Sequence, residues 1–163
     1  MHKMIHTYDR KDAQRLKIET KYLGEIDISD DKIVHFESGI PGFENEKKFV
    51  LLDIADNVMF QILQSVESKN LAFFVVNPYL LFEDYSIQLN ESIIDSLDIK
   101  EQNDVVVLSV MTLKEPFSKS TVNLKAPLII NIKNKRGKQY ILNDDTYSMR
   151  VTIPQHKLES GAE

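Results

Sequence analysis

"FVLLDIADNVMFQILQS", Phe49 to Ser65, decides the fold class. Two apolar runs, "FVLLDIA" and "VMFQILQS", flank an Asp-Asn turn, and a third, "LAFFVVNP" at 71–78, follows "ESKN". Runs of about six to eight residues, rich in Val, Ile and Phe and closed by turn formers, are strands more readily than helices. The same texture extends in both directions. Upstream, "KYLGEIDIS" and "KIVHFE" surround Asp30-Asp31 and read as two strands of a hairpin. Downstream come "DVVVLSVMTL" at 104–113, "APLIINIK" at 126–133, "KQYIL" at 138–142 and "YSMRVTIP" at 147–154. "NKRG" reads as a tight turn whose Gly137 supplies a positive φ. One segment departs from the pattern: "NESIIDSLDI" opens on Asn90 as an N-cap and sets Ile93, Ile94 and Leu97 on one stripe, which predicts a short helix. About nine or ten strands without βαβ alternation predict an all-β fold, a mostly antiparallel, closed or partly closed barrel-like sheet with one or two short helices.

A chain of 163 residues fits one domain. Its expected bounds are 17–154, preceded by a flexible leader at 1–16 and followed by a polar tail at 155–163. The leader is charged and lacks an apolar core, and no run reaches the roughly 20 apolar residues of a bilayer span, so a cytoplasmic protein is expected. Cysteine is absent, which removes thiol chemistry and cysteine metal sites. The four histidines, His2, His6, His35 and His156, form no close ligand set, and no GxSxG, GxGxxG or Walker loop occurs. Two carboxylates brought together from distant strands remain a route to acid–base chemistry, yet no carboxylate stands out by its context. The reading is a protein without catalytic, cofactor-binding or metal-binding residues.

Charge is uneven. Twenty basic and twenty-five acidic residues give a net charge of −5. Glu83, Asp84, Glu91, Asp95, Asp98, Glu101 and Asp104 face the single Lys100 in a stretch of sequence that suits a solvated face or a basic protein partner. "KNKRGK" at 133–138 is the counterpart, and Lys133, Lys135, Arg136 and Lys138 beside Tyr140 make direct RNA binding the alternative function.

"FESGIPGFE" at 36–44 holds Gly39, Pro41 and Gly42 within four positions of a chain with only five glycines and five prolines. The glycines reach φ values closed to other residues and Pro41 stiffens the turn, so Ile40 and Phe43 are held in set directions. Two readings stay open: both side chains plug the end of the barrel as a cap, or the tight turn makes them diverge, with Phe43 inward and Ile40 outward as an apolar anchor for a partner.

"FESGIPGFE", "FQILQS" at 60–65, "LAFFVVNP" at 71–78 and "TVNLKAPLIIN" at 121–131 together, in this order and spacing, resemble the FliW family of flagellar assembly factors over roughly Glu19 to Tyr147. The resemblance implies a cytoplasmic all-β regulator, without cofactor, that binds newly made flagellin and also CsrA, the small dimeric repressor that sits on flagellin mRNA. Flagellin and CsrA would exchange on it. On that reading Glu83, Asp84, Glu91, Asp95 and Asp98 are candidates to meet CsrA. Phe117 in "EPFSKS", with Tyr79, Leu80, Leu81 and Phe82, is a candidate to meet flagellin, although Leu80 and Leu81 suit the core edge. The free protein is expected to be monomeric, with no membrane and no direct nucleic-acid contact.

Overall fold

The Phe49–Ser65 stretch folds as a hairpin of β4 (Lys48–Ile54) and β5 (Asn57–Ser65), with Leu51 opposite Leu63 and Leu52 opposite Ile62. β6 (Ala72–Val76) continues the sheet, placing Phe73 opposite Leu63 and Phe74 opposite Ile62. These pairings come from a computed structural model that describes residues 13–161. The other strands are β1 (Arg15–Glu19), β2 (Glu25–Ser29), β3 (Val34–His35), β7 (Val105–Thr112), β8 (Thr121–Val122), β9 (Leu128–Asn131), β10 (Arg136–Gln139) and β11 (Val151–Thr152). Three short helices complete the described residues: α1 (Pro78–Leu81), α2 (Glu91–Ser96) and α3 (Gln155–Gly161).

The main sheet runs β11-β8-β7-β6-β5-β4-β3-β10-β9, and β9 also pairs with β7, so the sheet turns back on itself into a partly closed ring. All pairings are antiparallel except β3 with β10, a single pair between His35 and Arg136. Alternation along the strands assigns the two faces. Phe49, Leu51, Leu63, Phe73, Val75, Val106 and Leu108 point inward onto Phe36, Ile40, Leu128 and Ile130. Val50 and Leu52, on the outer face, are covered by Ile18 and Ile28 of the β1–β2 hairpin. The rest of that outer face, with Phe60, Phe74 and Met111, meets Leu158 of α3.

Two expectations need correction. β1 pairs with β2 through the Thr20–Gly24 turn, whereas β3 joins β4 and β10, so the hairpin read across Asp30-Asp31 does not form. Residues 30–32 instead make a 3-10 turn that carries the chain from the covering hairpin into the ring. In the β9–β10 connection the left-handed residue is Lys135, at φ 63°, and Gly137 sits inside β10 for a different reason: a Cβ there would lie 2.7 Å from the Phe36 ring. The residues read as a polar tail begin with α3, whose Leu158 packs on the outer face. Of the leader, residues 13–16 are described and already enter β1, while 1–12 lie outside the described residues, as do 162 and 163.

The helix at 91–96 forms as predicted, with Asn90 Oδ1 accepting from the Ile93 N–H at 3.0 Å and Ile93 and Leu97 buried against Ile129. Among the described residues no helix is long and apolar enough to cross a membrane.

Candidate protein-binding surfaces

The 36–44 turn is built as its composition requires, but its two large residues are placed the other way round. Gly39 and Gly42 both have positive φ, and a Cβ on Gly39 would fall 2.5 Å from the Glu44 carbonyl oxygen. Phe43 N–H donates to the Ile40 carbonyl at 2.6 Å, making the two residues antiparallel bridge partners. Bridge partners share a face. Both side chains therefore point toward the barrel end, with Ile40 3% exposed in the core and Phe43 on the rim at 42%. Ile40 is thus no exposed anchor, and Phe43 is not an inward plug. The Phe43 ring stands 5.6 Å from Phe73, which lies 6.2 Å from Phe49, itself 5.5 Å from Phe36.

Phe117 lies on a 3-10 turn at 117–119, exposed, with its edge toward Phe60 at 5.8 Å. Together they line an apolar cleft of ≈ 410 Å³ whose floor includes Phe74 and Met111 and whose far wall is Leu158 of α3. Met59, Leu113 and Ile54 complete its apolar lining, and Lys157 is its one charged residue among the described residues. Tyr22, at the tip of the covering hairpin, abuts Phe74 from outside at 4.9 Å. The cleft is thus the gap left between two covers of one sheet face. Of the other apolar candidates, Tyr79 and Leu80 are exposed, Leu81 is buried and Phe82 is half-buried, so Leu80 is not core.

Glu83, Asp84, Glu91, Asp95 and Asp98 are all exposed. Glu83 is bridged to Lys157 at 3.6 Å and Asp98 to Lys100 at 3.0 Å, whereas Asp104 is buried and accepts from the Glu101 N–H at 3.2 Å. Beside the tract runs a groove of ≈ 950 Å³ between the end of β6 and the start of β7. Tyr79 and Tyr85 line it, and burial raises the pKa of both phenols above the ordinary tyrosine value, that of Tyr85 strongly. The Tyr85 hydroxyl spends its proton on the Leu124 carbonyl at 2.9 Å.

Against known proteins, the sequence profile of the FliW protein family matches residues 17–153. The chain belongs to the FliW family. The flagellar assembly factor FliW of Oceanobacillus iheyensis is 50% identical over 146 residues, covering 90% of this chain and 99% of that protein. That of Bacillus subtilis is 48% identical over 136 residues, covering 83% and 95%. A crystal structure of the flagellar assembly factor FliW superposes with a TM-score of 0.81 at 41% identity, covering 85% of this chain and 98% of that one. Each of these relatives is a flagellar assembly factor by name. The FliW span holds the 36–44 turn, the acidic tract and Phe117, while α3, the far wall of the cleft, begins beyond it.

The basic hairpin of this FliW protein is exposed at Lys133 and Arg136, and both side chains also reach back to their own chain. Lys133 Nζ lies 3.9 Å from Asp104, Arg136 reaches the Ser96 carbonyl at 3.5 Å, and burial lowers the pKa of Lys135. Among the described residues no three His, Asp or Glu side chains are grouped to hold a metal. Reading from sequence missed the cleft that half-buried Phe60 and Phe74 line over buried Met111, because apolar strand residues look alike whether their face is covered or partly bare. The available signal was alternation: 60 and 74 share the parity of Ile62, opposite to that of Leu63.

Proposed function

We propose that this protein regulates flagellar assembly by partner exchange in the cytoplasm, as a monomer when free, holding newly made flagellin in the apolar cleft and CsrA against the acidic tract. The observation that carries this reading is the presence of two unlike surfaces on one chain: an apolar cleft with Phe117 at its lip, and five exposed carboxylates at 83–98. A subunit that later buries apolar surface against its neighbours suits the first. A protein that grips RNA phosphates is basic and suits the second. The two surfaces meet at Lys157, which lines the cleft and bridges to Glu83, so exchange between partners has a contact through which to act. Direct RNA binding is the weaker reading, since the net charge of −5 and the acidic tract oppose a phosphate-binding surface around a single basic hairpin.

Titration calorimetry against each partner separately tests the assignment. Phe117→Ala should weaken flagellin binding by roughly 2 kcal/mol, about thirtyfold, and leave CsrA unchanged. Glu91→Lys with Asp95→Lys should do the reverse, with a loss that shrinks at high salt. Equal effects on both partners would remove the two-surface assignment. Retardation of flagellin leader RNA by this protein alone, abolished when Lys133, Lys135, Arg136 and Lys138 become glutamate, would replace it with the RNA reading.

A further inference from the structure

β7 is paired along both edges for only part of its length. One edge carries β9 at Val105–Leu108 and β8 at Met111–Thr112. The other carries β6 through two pairs alone, Val75 with Val110 and Val76 with Ser109. Beyond Val76 the chain leaves the sheet: Asn77 caps α1 by accepting the Tyr79 N–H, and Pro78 has no N–H to offer a ladder. In an antiparallel strand, successive residues aim their N–H and C=O at opposite edges. Asn123 N–H bonds the Val110 carbonyl and Ile132 N–H the Asp104 carbonyl, so even-numbered residues of β7 address the β8–β9 edge. Odd-numbered ones address the β6 edge. Ser109 meets Val76 there, but the N–H and C=O of Val107 and the C=O of Val105 face the groove, with no backbone partner on that side among the described residues.

We infer that this open edge of β7 is a strand-addition site: an extended basic segment of a protein partner docks in the groove and hydrogen-bonds Val105 and Val107 as an added strand. Addition to an exposed sheet edge draws affinity from main-chain bonds and selects its ligand through alternate side chains. The groove has the pockets for that. Val106 lines it from the barrel side and takes the apolar residues of an added strand, while on the outer side Ile87 and Ile94 can pack against the stems of Lys and Arg whose charged ends reach the acidic rim. The charge of the occupant follows from the rim. Glu101 lines the groove, and exposed Glu91 and Asp95 sit on α2 within one turn of Ile94. The lining's one cation among the described residues, Lys100, is already bridged to Asp98. An alternating apolar–basic segment complements such a rim, and an acidic one is repelled. The inference deepens the acidic-tract reading by giving that surface a mode of contact, and rests on it only for the tract's being a binding surface.

The test uses the full chain, labelled with 15N, and a capped peptide Thr-Lys-Val-Arg-Val-Lys-Thr. The peptide should shift and protect from exchange the Val107 amide. An analogue N-methylated at alternate amides should bind roughly tenfold more weakly or worse, as should one with glutamate for each Lys and Arg. Val107→Pro removes the one N–H and should abolish binding, and because the analogues leave the protein untouched, a poorly folded variant does not decide the result. Absence of binding, equal binding of the N-methylated analogue, or shifts confined to the Phe117 cleft would each overturn the inference. Peptide binding at Val107 that leaves CsrA affinity unchanged upholds strand addition while counting against CsrA as the tract's partner. Loss of CsrA binding in the Glu91→Lys, Asp95→Lys protein with no peptide binding overturns strand addition alone.

Discussion

Ile40 and Phe43 are bonded across a two-residue turn, yet one is sealed in the core and the other stands on the rim against Phe73. The rigid Pro41-Gly42 tip sets this asymmetry, because it fixes both side chains on one face of a ring whose wall then shelters only the deeper of them. Ile40→Ala should cost about 2–5 kcal/mol, the range for a truncated core aliphatic, and Phe43→Ala about 1 kcal/mol. Urea unfolding of the two variants ranks them. Because Phe43 is rigidly held and partly bare, it also takes over the anchor role first read for Ile40: calorimetry of Phe43→Ala should show weaker binding to flagellin or CsrA, and full affinity for both would reduce the turn to a structural device.

Gly137 belongs to the core rather than to a turn. An added methyl would overlap the Phe36 ring at 2.7 Å, and Phe36 is itself fully buried against Phe49 at 5.5 Å, so the ring has little room to retreat. Gly137→Ala should destabilise by about 1–3 kcal/mol despite its gain in strand propensity. The double variant Gly137→Ala, Phe36→Leu should recover part of that loss in a thermal melt. Additive losses would show that the clash lies elsewhere.

What could be read in advance was local. Alternation in β4–β6 and the Asn90 cap act within a few residues, and both appear where the sequence placed them. The pairing of β1 with β2 was misread because Gly24 and Asp30-Asp31 are both competent turns, and only the ring's need for β3 beside β10 chooses between them. Phe117 was found as a bare loop aromatic, but the cleft around it depends on where the β1–β2 hairpin and α3 stop covering the sheet. Likewise the carboxylates at 83–98 were visible as charge, whereas the groove beside them exists because β6 turns away at Asn77-Pro78.

The turn also carries a titration. Glu44 accepts from the Gly42 N–H at 3.1 Å, and this bond, with one from its own N–H, holds its carboxyl below the usual glutamate range. A carboxyl whose pKa is lowered on folding stabilises the fold fully above its unfolded value and ceases to do so as pH falls through the folded value. The melting-temperature difference between the unmodified protein and Glu44→Gln should therefore hold steady from neutral pH down to the ordinary glutamate range and close below it. An NMR titration placing the Glu44 midpoint at or above the ordinary value would contradict this.

Two buried serines should respond to the same substitution with opposite signs. Ser109 Oγ, on β7, has no hydrogen-bond partner among the described residues although the residue is fully buried. Ser120 is equally buried, but its Oγ accepts the Lys114 N–H at 2.9 Å and so anchors the loop that presents Phe117. A buried hydroxyl without a partner costs about 1–3 kcal/mol relative to water, and deleting it removes that cost along with a single small atom's packing. Ser109→Ala should thus be neutral to stabilising, by up to about 1 kcal/mol after the lost contact is counted. Ser120→Ala instead strands the Lys114 N–H and should destabilise by about 1 kcal/mol or more. It should also weaken flagellin binding beyond its effect on stability, because the 114–120 loop loses the bond that sets Phe117 at the lip of the cleft. Denaturant midpoints for both variants, with flagellin titrations of the second, check the pair. A clear destabilisation by Ser109→Ala would mean that the hydroxyl has a bonded partner, such as a buried water, in solution.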